Sequence, residues 1–426
     1  MRRQFLLGVG AQAYQRVVTI GAQLVVLPVM LLGWGPAAYG GWVALDSLRS
    51  ILAMTDLGLA QIAANQMTVE IAARRQDEAR RIASAAWAML LVAALVIVGL
   101  GAVVGLFVPL GDILNIERPA GELGWTFFLL SLVAAISVLF GVPGGILRAE
   151  GLFWLMSLCN ANFLLATAVA MVACALSGTG FVALAASLTV LAVMIYGSVM
   201  VWVLWRYPWA RPRPALVEGQ RIRAMLGPSL AYMLYTATQI VTIQGVNILV
   251  AMILGPVAVT ILSAIRTLTR LGRAVASIVL LPIEPIFAQL YAQAESGQAR
   301  SVQNKLLWGG FGLALAFGTP MAVLGPGFLA WWTAGTVVGQ DRLHYLMTAA
   351  IAVEILWLAV QTPYVSINRH VVFAQFVAIA GIASTALCWL LLPILGLDAA
   401  GWTLLAMQVA ILVQSLYRSW TSPPID

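Results

Sequence analysis

The chain has 426 residues, of which 62% are hydrophobic and only 9% charged, with a mean hydropathy of +0.96. Soluble domains carry roughly a quarter charged residues, so the composition excludes a soluble enzyme and predicts an all-α integral membrane protein. The net charge of +7 invites a nucleic-acid partner, but the placement of the basic residues removes that reading.

Arg2-Arg3-Gln4-Phe5-Leu6, with Ala11-Gln12-Ala13 behind it, has the outline of a twin-arginine export signal. The apolar core between them is too short, and hydrophobic sequence resumes at once, so Arg2 and Arg3 read as cytoplasmic anchors of a first span. At about 20 apolar residues per crossing, twelve spans are predicted. The first covers 5–32 and holds Arg16; Gly33-Trp34-Gly35-Pro36 turns it into the second, 37–65, which holds Asp46, Arg49 and Asp56. A charged segment ending at Arg81 leads to the third, 82–108, and an acidic loop to the fourth, 121–147. The fifth, 152–176, carries Asn160 and Asn162, and Ser177-Gly178-Thr179-Gly180 turns it into the sixth, 181–205.

Residues 207–223 form the one stretch with the character of a domain boundary, because Pro208, Pro212 and Pro214 forbid a continuous helix there. They separate a lobe at 1–206 from a lobe at 224–426. The seventh span, 224–254, carries Gln239, Gln244 and Asn247. The eighth, 257–288, carries Arg266, Arg270 and Arg273, and Pro282 and Pro285 break its end around Glu284. Spans nine to twelve cover 305–332, 343–367, 371–395 and 399–420, with Glu354 near mid-depth of the tenth. Trp331, Trp332, Tyr207 and Trp209 lie at span ends and read as interfacial aromatics.

The arginines set the topology. With the N-terminus inside, sixteen of the 23 basic residues fall in cytoplasmic segments and only Arg118 and Arg342 outside; the other five lie within spans. Both termini are therefore expected in the cytoplasm, and the basic residues mark a membrane face rather than a nucleic-acid surface. The halves also look repeated. Gly35-Pro36-Ala37-Ala38 before span two matches Gly255-Pro256-Val257-Ala258 before span eight, in the same orientation. That is a parallel repeat about a pseudo-two-fold axis along the membrane normal, with a cavity between two six-helix bundles.

The stretch Gly255-Pro256…Ala264-Ile265-Arg266-Thr267-Leu268-Thr269-Arg270, then Pro282-Ile283-Glu284-Pro285, resembles a pattern of the bacterial polysaccharide transporters. These are the O-antigen and exopolysaccharide repeat-unit flippases of the multidrug/oligosaccharidyl-lipid/polysaccharide (MOP) exporter superfamily. Thr55-Asp56-Leu57-Gly58-Leu59 through Asn65 is similar to their second-helix signature. The twelve-span plan covers the whole chain, while the local motifs are short; Pro285 after Glu284 and the scarcity of lysine depart from the pattern. The resemblance implies a V-shaped pair of six-helix bundles in the bacterial inner membrane that alternates between inward- and outward-open states. It also implies an undecaprenyl-pyrophosphate-linked oligosaccharide as cargo, with a polysaccharide polymerase as a further partner beside the membrane lipids.

A central arginine costs roughly 2.5–3.5 kcal/mol against lipid on the insertion scale, so intramembrane arginines must face protein or water. Arg266, Arg270 and Arg273 fall within about 60° of one another round a helix, which reads as one stripe for binding an anionic phosphate group. Arg16 and Arg49 extend it on the other lobe. The alternative for all five is that they neutralise buried acids or snorkel to the membrane surface. Asp46, Asp56 and Glu354 carry the matching pair of readings: coupling to H⁺ or Na⁺, or charge pairing, with Asp46 and Arg49 close enough on one helix to pair. Gln239, Gln244 and Asn247 either contact sugar hydroxyls or bond to neighbouring helices. Cys159, Cys174 and Cys388 read as small buried apolar residues, and His344 and His370 as residues of solvated turns.

No metal, cofactor or nucleophile constellation is apparent, and the resemblance implies non-catalytic flipping by alternating access as the activity. A multidrug or cation-coupled antiporter of the same superfamily is the nearest rival, but its usual cargo is cationic and would call for fewer arginines. A membrane enzyme of polysaccharide biosynthesis is the more distant one.

Overall fold

The computed structural model describes residues 2–56, 58–226, 238, 240–280, 283, 287, 296–366 and 371–421. Gln239, Glu284 and His370 lie outside them. The chain divides into two compact units, Met1–Ile240 and Val241–Asp426.

In the first unit α1 (Arg2–Leu52) takes in the first expected span and most of the second, with a break in its dihedrals at Gly35. A 3₁₀ turn at Ala53–Asp56 ends it, and Gly58, in the left-handed region at φ +69°, starts α2 (Leu59–Ala72). The second expected span is thus two helices rather than one. The physical reason lies in Thr55, Asp56 and Gly58: the Asp56 carboxylate accepts the Gly58 N–H at 3.0 Å, and the Thr55 hydroxyl donates back to the Leu52 carbonyl. Such local side-chain bonds compete with the helical ladder. Then follow α3 (Gln76–Phe107), α4 (Leu110–Leu114), α5 (Ala120–Leu139), α6 (Gly141–Ala149), α7 (Phe153–Ser177), α8 (Phe181–Ala192) and α9 (Ser198–Arg206), the last two joined by a π-helical turn at Val193–Gly197.

The second unit opens on a π-helical turn at Val241–Gly245 and runs through α10 (Val246–Leu254), α11 (Pro256–Thr269), α12 (Leu271–Leu280), α13 (Ser296–Trp332), α14 (Asp341–Ser366), α15 (Val371–Leu395) and α16 (Asp398–Thr421). Among the described residues nine helices are long and apolar enough to cross a bilayer. One of them, Leu6–Asp56, spans two of the expected crossings, while the described parts of the seventh and eighth expected spans are shorter helices. This is a multi-pass membrane protein whose outer helix faces are apolar.

The two units share a neighbour pattern. In the first, α1 packs on α7, α3 on α5, α5 on α8 and α7 on α8; in the second, α10 packs on α15, α13 on α14, α14 on α16 and α15 on α16. Their Gly-Pro turns share a backbone conformation as well. Gly35 sits at φ +78°, ψ 169° and Gly255 at φ +83°, ψ 174°. Glycine alone adopts this region freely, and strain there is on the order of 1–3 kcal/mol for other residues. A Cβ at either position meets no atom within 4 Å, so only backbone strain opposes a side chain. Gly35→Ala and Gly255→Ala are therefore each expected to lower the melting temperature of the purified protein without a steric clash. An unchanged melting temperature would mean that the turn conformation is not required.

Residues 207–210, expected at the head of a linker, pack on the first unit. Trp209 is only 5% exposed, and its indole N–H donates to Glu150 at 3.1 Å. The Trp87 indole N–H donates to the Ala210 carbonyl at 3.1 Å. Further on, Arg221 bonds Glu78 at 2.8 Å and Arg81 bonds Glu218 at 2.9 Å. Trp209 is accordingly not an interfacial aromatic: the prolines stop the helix, and the indole finds burial against α3 and α6 instead.

Candidate functional site

The candidate site is built inside the second unit. α11 and α12 meet at Arg270, and the break between them is shallow: the Arg270 N–H still donates to the Arg266 carbonyl at 3.0 Å, and the Ala274 N–H to the Arg270 carbonyl at 3.3 Å. The three guanidiniums do not lie as one stripe with one fate. Arg266 turns to the seventh expected span, donating from Nη1 to the Ile243 carbonyl at 3.0 Å and from Nη2 to the Asn247 side-chain oxygen. Ile243 belongs to the π-helical turn, and such turns widen the helix and offer backbone acceptors off the regular ladder. Asn247 in turn donates to Gln244 at 3.2 Å. Asn247 thus holds Arg266 directly and Gln244 bonds Asn247, and both partners of that guanidinium are neutral.

Arg273 turns the other way, to α14. Its Nη1 lies 2.7 Å from the Glu354 carboxylate. Glu354 is 3% exposed, and its other oxygen accepts a bond from Gln408 on α16 at 3.3 Å. Gln408 accepts the Trp357 indole N–H at 2.7 Å. The chain Arg273–Glu354–Gln408–Trp357 ties three helices together. Charge pairing was one of the two readings of Glu354, and Arg273 is the partner it finds.

Arg270 lies between these two anchored neighbours and is exposed. Among the described residues it has neither a hydrogen-bonding side-chain partner nor an ion pair. The patch therefore holds three guanidiniums and one carboxylate, with Arg270 free to donate. A guanidinium offers five N–H donors in a planar fork, and Arg266 and Arg273 each keep N–H donors outside their bonds to Ile243, Asn247 and Glu354. Geometrically, the patch can take up an anion with several acceptor oxygens.

In the first unit Arg49 donates to Asp46 at 2.6 Å, three residues back on the same helix, so this arginine is neutralised locally. Asp56 is engaged by the Gly58 N–H at the helix break. Arg16 is exposed on α1 and has no partner among the described residues. It stands on one helix face with Gln12, Thr19 and Gln23, all within about 60° of one another. Nearby, Gln12 donates to Ser157 at 3.1 Å, Tyr14 to Asn162 at 3.1 Å and Tyr196 to Asn160 at 3.3 Å.

Sequence reasoning missed Gln12, Tyr14, Gln23, Trp357 and Gln408. Polar residues recurring at helical spacing inside apolar spans were the available signal for the first and third. His344 also departs from expectation. It is buried, and its Nε2 lies 2.8 Å from the Met321 carbonyl of α13. α13 runs past the start of α14, and the bare Gly325 leaves room for the imidazole ring. The three cysteines are buried, as expected.

Neither a protein-family model nor a curated protein matches the sequence. The fold does match solved transporters. An inward-facing multidrug resistance MATE family transporter of the MOP superfamily is similar with a TM-score of 0.75 at 14% identity, over 95% of this chain and 96% of that one. The lipid II flippase MurJ in an inward closed conformation gives 0.71 at 10% identity, over 98% and 88%. The Vibrio cholerae MATE transporter VcmN gives 0.60 at 12% identity, over 99% and 100%. At such identities the likeness is one of fold: this chain has the helical architecture of MOP-superfamily transporters.

Proposed function

We propose that this chain is a flippase. It carries undecaprenyl-pyrophosphate-linked oligosaccharide repeat units, of the O-antigen or exopolysaccharide kind, from the cytoplasmic to the periplasmic leaflet of the inner membrane, without catalysis. The observation that supports this most is Arg270, exposed and, among the described residues, without an ion pair or a hydrogen-bonding side chain, between an Arg266 held by neutral groups and an Arg273 paired with Glu354. An unpaired intramembrane arginine is costly and calls for an anion. A diphosphate fits the forked donors on both sides, while the sugars occupy the wet site and the prenyl tail stays in lipid. A lipid II flippase shares the fold, which is consistent with a lipid-linked cargo.

The same reading takes the chain as twelve spans with both termini inside. Lobes at 1–206 and 224–426, joined by 207–223, would be parallel repeats that alternate in access. The shared neighbour pattern and the twin Gly-Pro turns support it. Glu354 is the acid through which an H⁺ or Na⁺ gradient would act, since it is buried and already bonded to the arginine helix. A multidrug antiporter is the second reading, favoured by the fold likeness to MATE transporters.

A leaflet-resolved assay in a host lacking the gene separates them. The expected result is lipid-linked repeat units stranded on the cytoplasmic side and surface polysaccharide lost, both restored by the wild-type gene. Normal polysaccharide with altered sensitivity to cationic drugs would transfer the assignment to the antiporter.

A further inference from the structure

Away from the arginines, a groove of about 280 Å³ opens between the end of α12 and the start of α13. Val279 and Ile283 form one wall and Val302 and Leu313 the other, while Gly309 and Gly310 line it between them. A Cβ on Gly309 would meet nothing within 4 Å, whereas Gly310 packs directly against Ala359 of α14. The bare Gly309 keeps a slot open where an ordinary side chain would narrow it, while the bare Gly310 lets α13 pack closely on α14 behind it.

One charged side chain lines this apolar groove, Lys305, the only lysine in the chain. It is exposed, and among the described residues no acid pairs with it. Its level is that of a membrane interface. The apolar run of α13 begins at Leu306, and Trp308, one turn on, is 75% exposed, as interfacial indoles are. A lysine at that depth lays its stem along hydrocarbon and holds its ammonium at the lipid phosphates.

We propose that this groove is a seat for one anionic phospholipid, with an acyl chain in the slot and the headgroup phosphate on Lys305. Basic positions between transmembrane helices select anionic headgroups in this way. Apolar walls on both sides distinguish the seat from the general lipid annulus, where a chain touches one helix face. A free phosphate gains nothing from the slot, and a bare alkyl chain gains nothing from the ammonium. The site shares no residue with the arginine patch and stands whether or not the cargo is a lipid-linked oligosaccharide. Its wall is nevertheless the helix that carries Arg273, so an occupied seat braces that helix against α13.

Native mass spectrometry of the full-length protein, with phosphatidylglycerol or phosphatidylcholine added, tests the seat. One phosphatidylglycerol is expected to be retained under activation that strips the rest. Lys305→Gln is expected to weaken its retention at least about tenfold, the scale of losing a hydrogen bond to a charged group, and Lys305→Arg to keep it. Gly309→Leu fills the slot with Lys305 in place and is expected to abolish retention; Gly309→Ala, a milder change, should weaken it. Equal retention of phosphatidylcholine overturns the proposal. So does retention indifferent to Lys305→Gln, or indifferent to both Gly309 variants.

Discussion

Arg270→Ala is expected, if the chain is the proposed flippase, to lower flipping of lipid-linked repeat units by about tenfold to a hundredfold while leaving the melting temperature near that of the wild type. A hydrogen bond to a charged group is worth about 1.5–3 kcal/mol, and each 1.4 kcal/mol is about tenfold. Because Arg270 has no side-chain partner among the described residues, its removal strands none of them, and the loss appears in transport alone. Arg266→Ala should differ. It removes the donor that the Ile243 carbonyl and Asn247 share, so it lowers both transport and stability. Arg270→Lys keeps the charge but loses the planar fork, and intermediate transport is expected. Leaflet-resolved quantification of lipid-linked repeat units, with thermal melting of each purified variant, reads both quantities. Normal flipping by Arg270→Ala would remove the anion site from this patch.

Arg273→Ala is expected to destabilise the second unit more than Glu354→Gln does. Glu354 is buried, and loss of Arg273 leaves its carboxylate with only the Gln408 amide. Removing one partner of a buried ion pair costs about 3–5 kcal/mol, and the low end applies here because the Arg273 side chain is 40% exposed. That same exposure lets Arg273 be solvated when Glu354 becomes an amide, and the amide still bonds Gln408. The cost of Glu354→Gln should therefore be about 1–2 kcal/mol. The double variant Arg273→Ala/Glu354→Gln should recover much of the loss of the first, since no buried charge remains. Strictly additive losses in thermal melting would show that the pair is not coupled. If Glu354 also carries the ion coupling, Glu354→Gln will flatten the dependence of transport on the imposed gradient, an effect that its loss of stability alone does not produce.

Much of the architecture was legible in one dimension because its causes are one-dimensional. Hydropathy marks a crossing wherever about 20 apolar residues run together, and a Gly-Pro pair marks a turn that only glycine can make. The recurrence of that pair 220 positions apart was visible in the letters, and Gly35 and Gly255 then proved to share their dihedrals. The Asp46–Arg49 bond was legible too, since both residues sit on one helix at a spacing that helical geometry brings together.

The helix break at Asp56–Gly58 could have been read from the same letters. Apolar continuity hid it, as hydropathy weighs composition and not the bond an aspartate makes to an N–H two residues on. What only the tertiary structure decided is partnership. Helical spacing puts Arg266, Arg270 and Arg273 within a narrow arc, but it cannot say which helices flank that arc. The Val241–Gly245 turn on one flank and Glu354 with Gln408 on the other claim Arg266 and Arg273, and Arg270 is left between them. The same holds for Asn247, whose amide suits a sugar or an arginine equally until a neighbouring helix brings the arginine. The sequence by itself determined how much charge enters the membrane and at what depth. Which of those charges is satisfied by protein, and which is left unpaired among the described residues, depends on contacts between residues far apart in the chain, and only packing creates those.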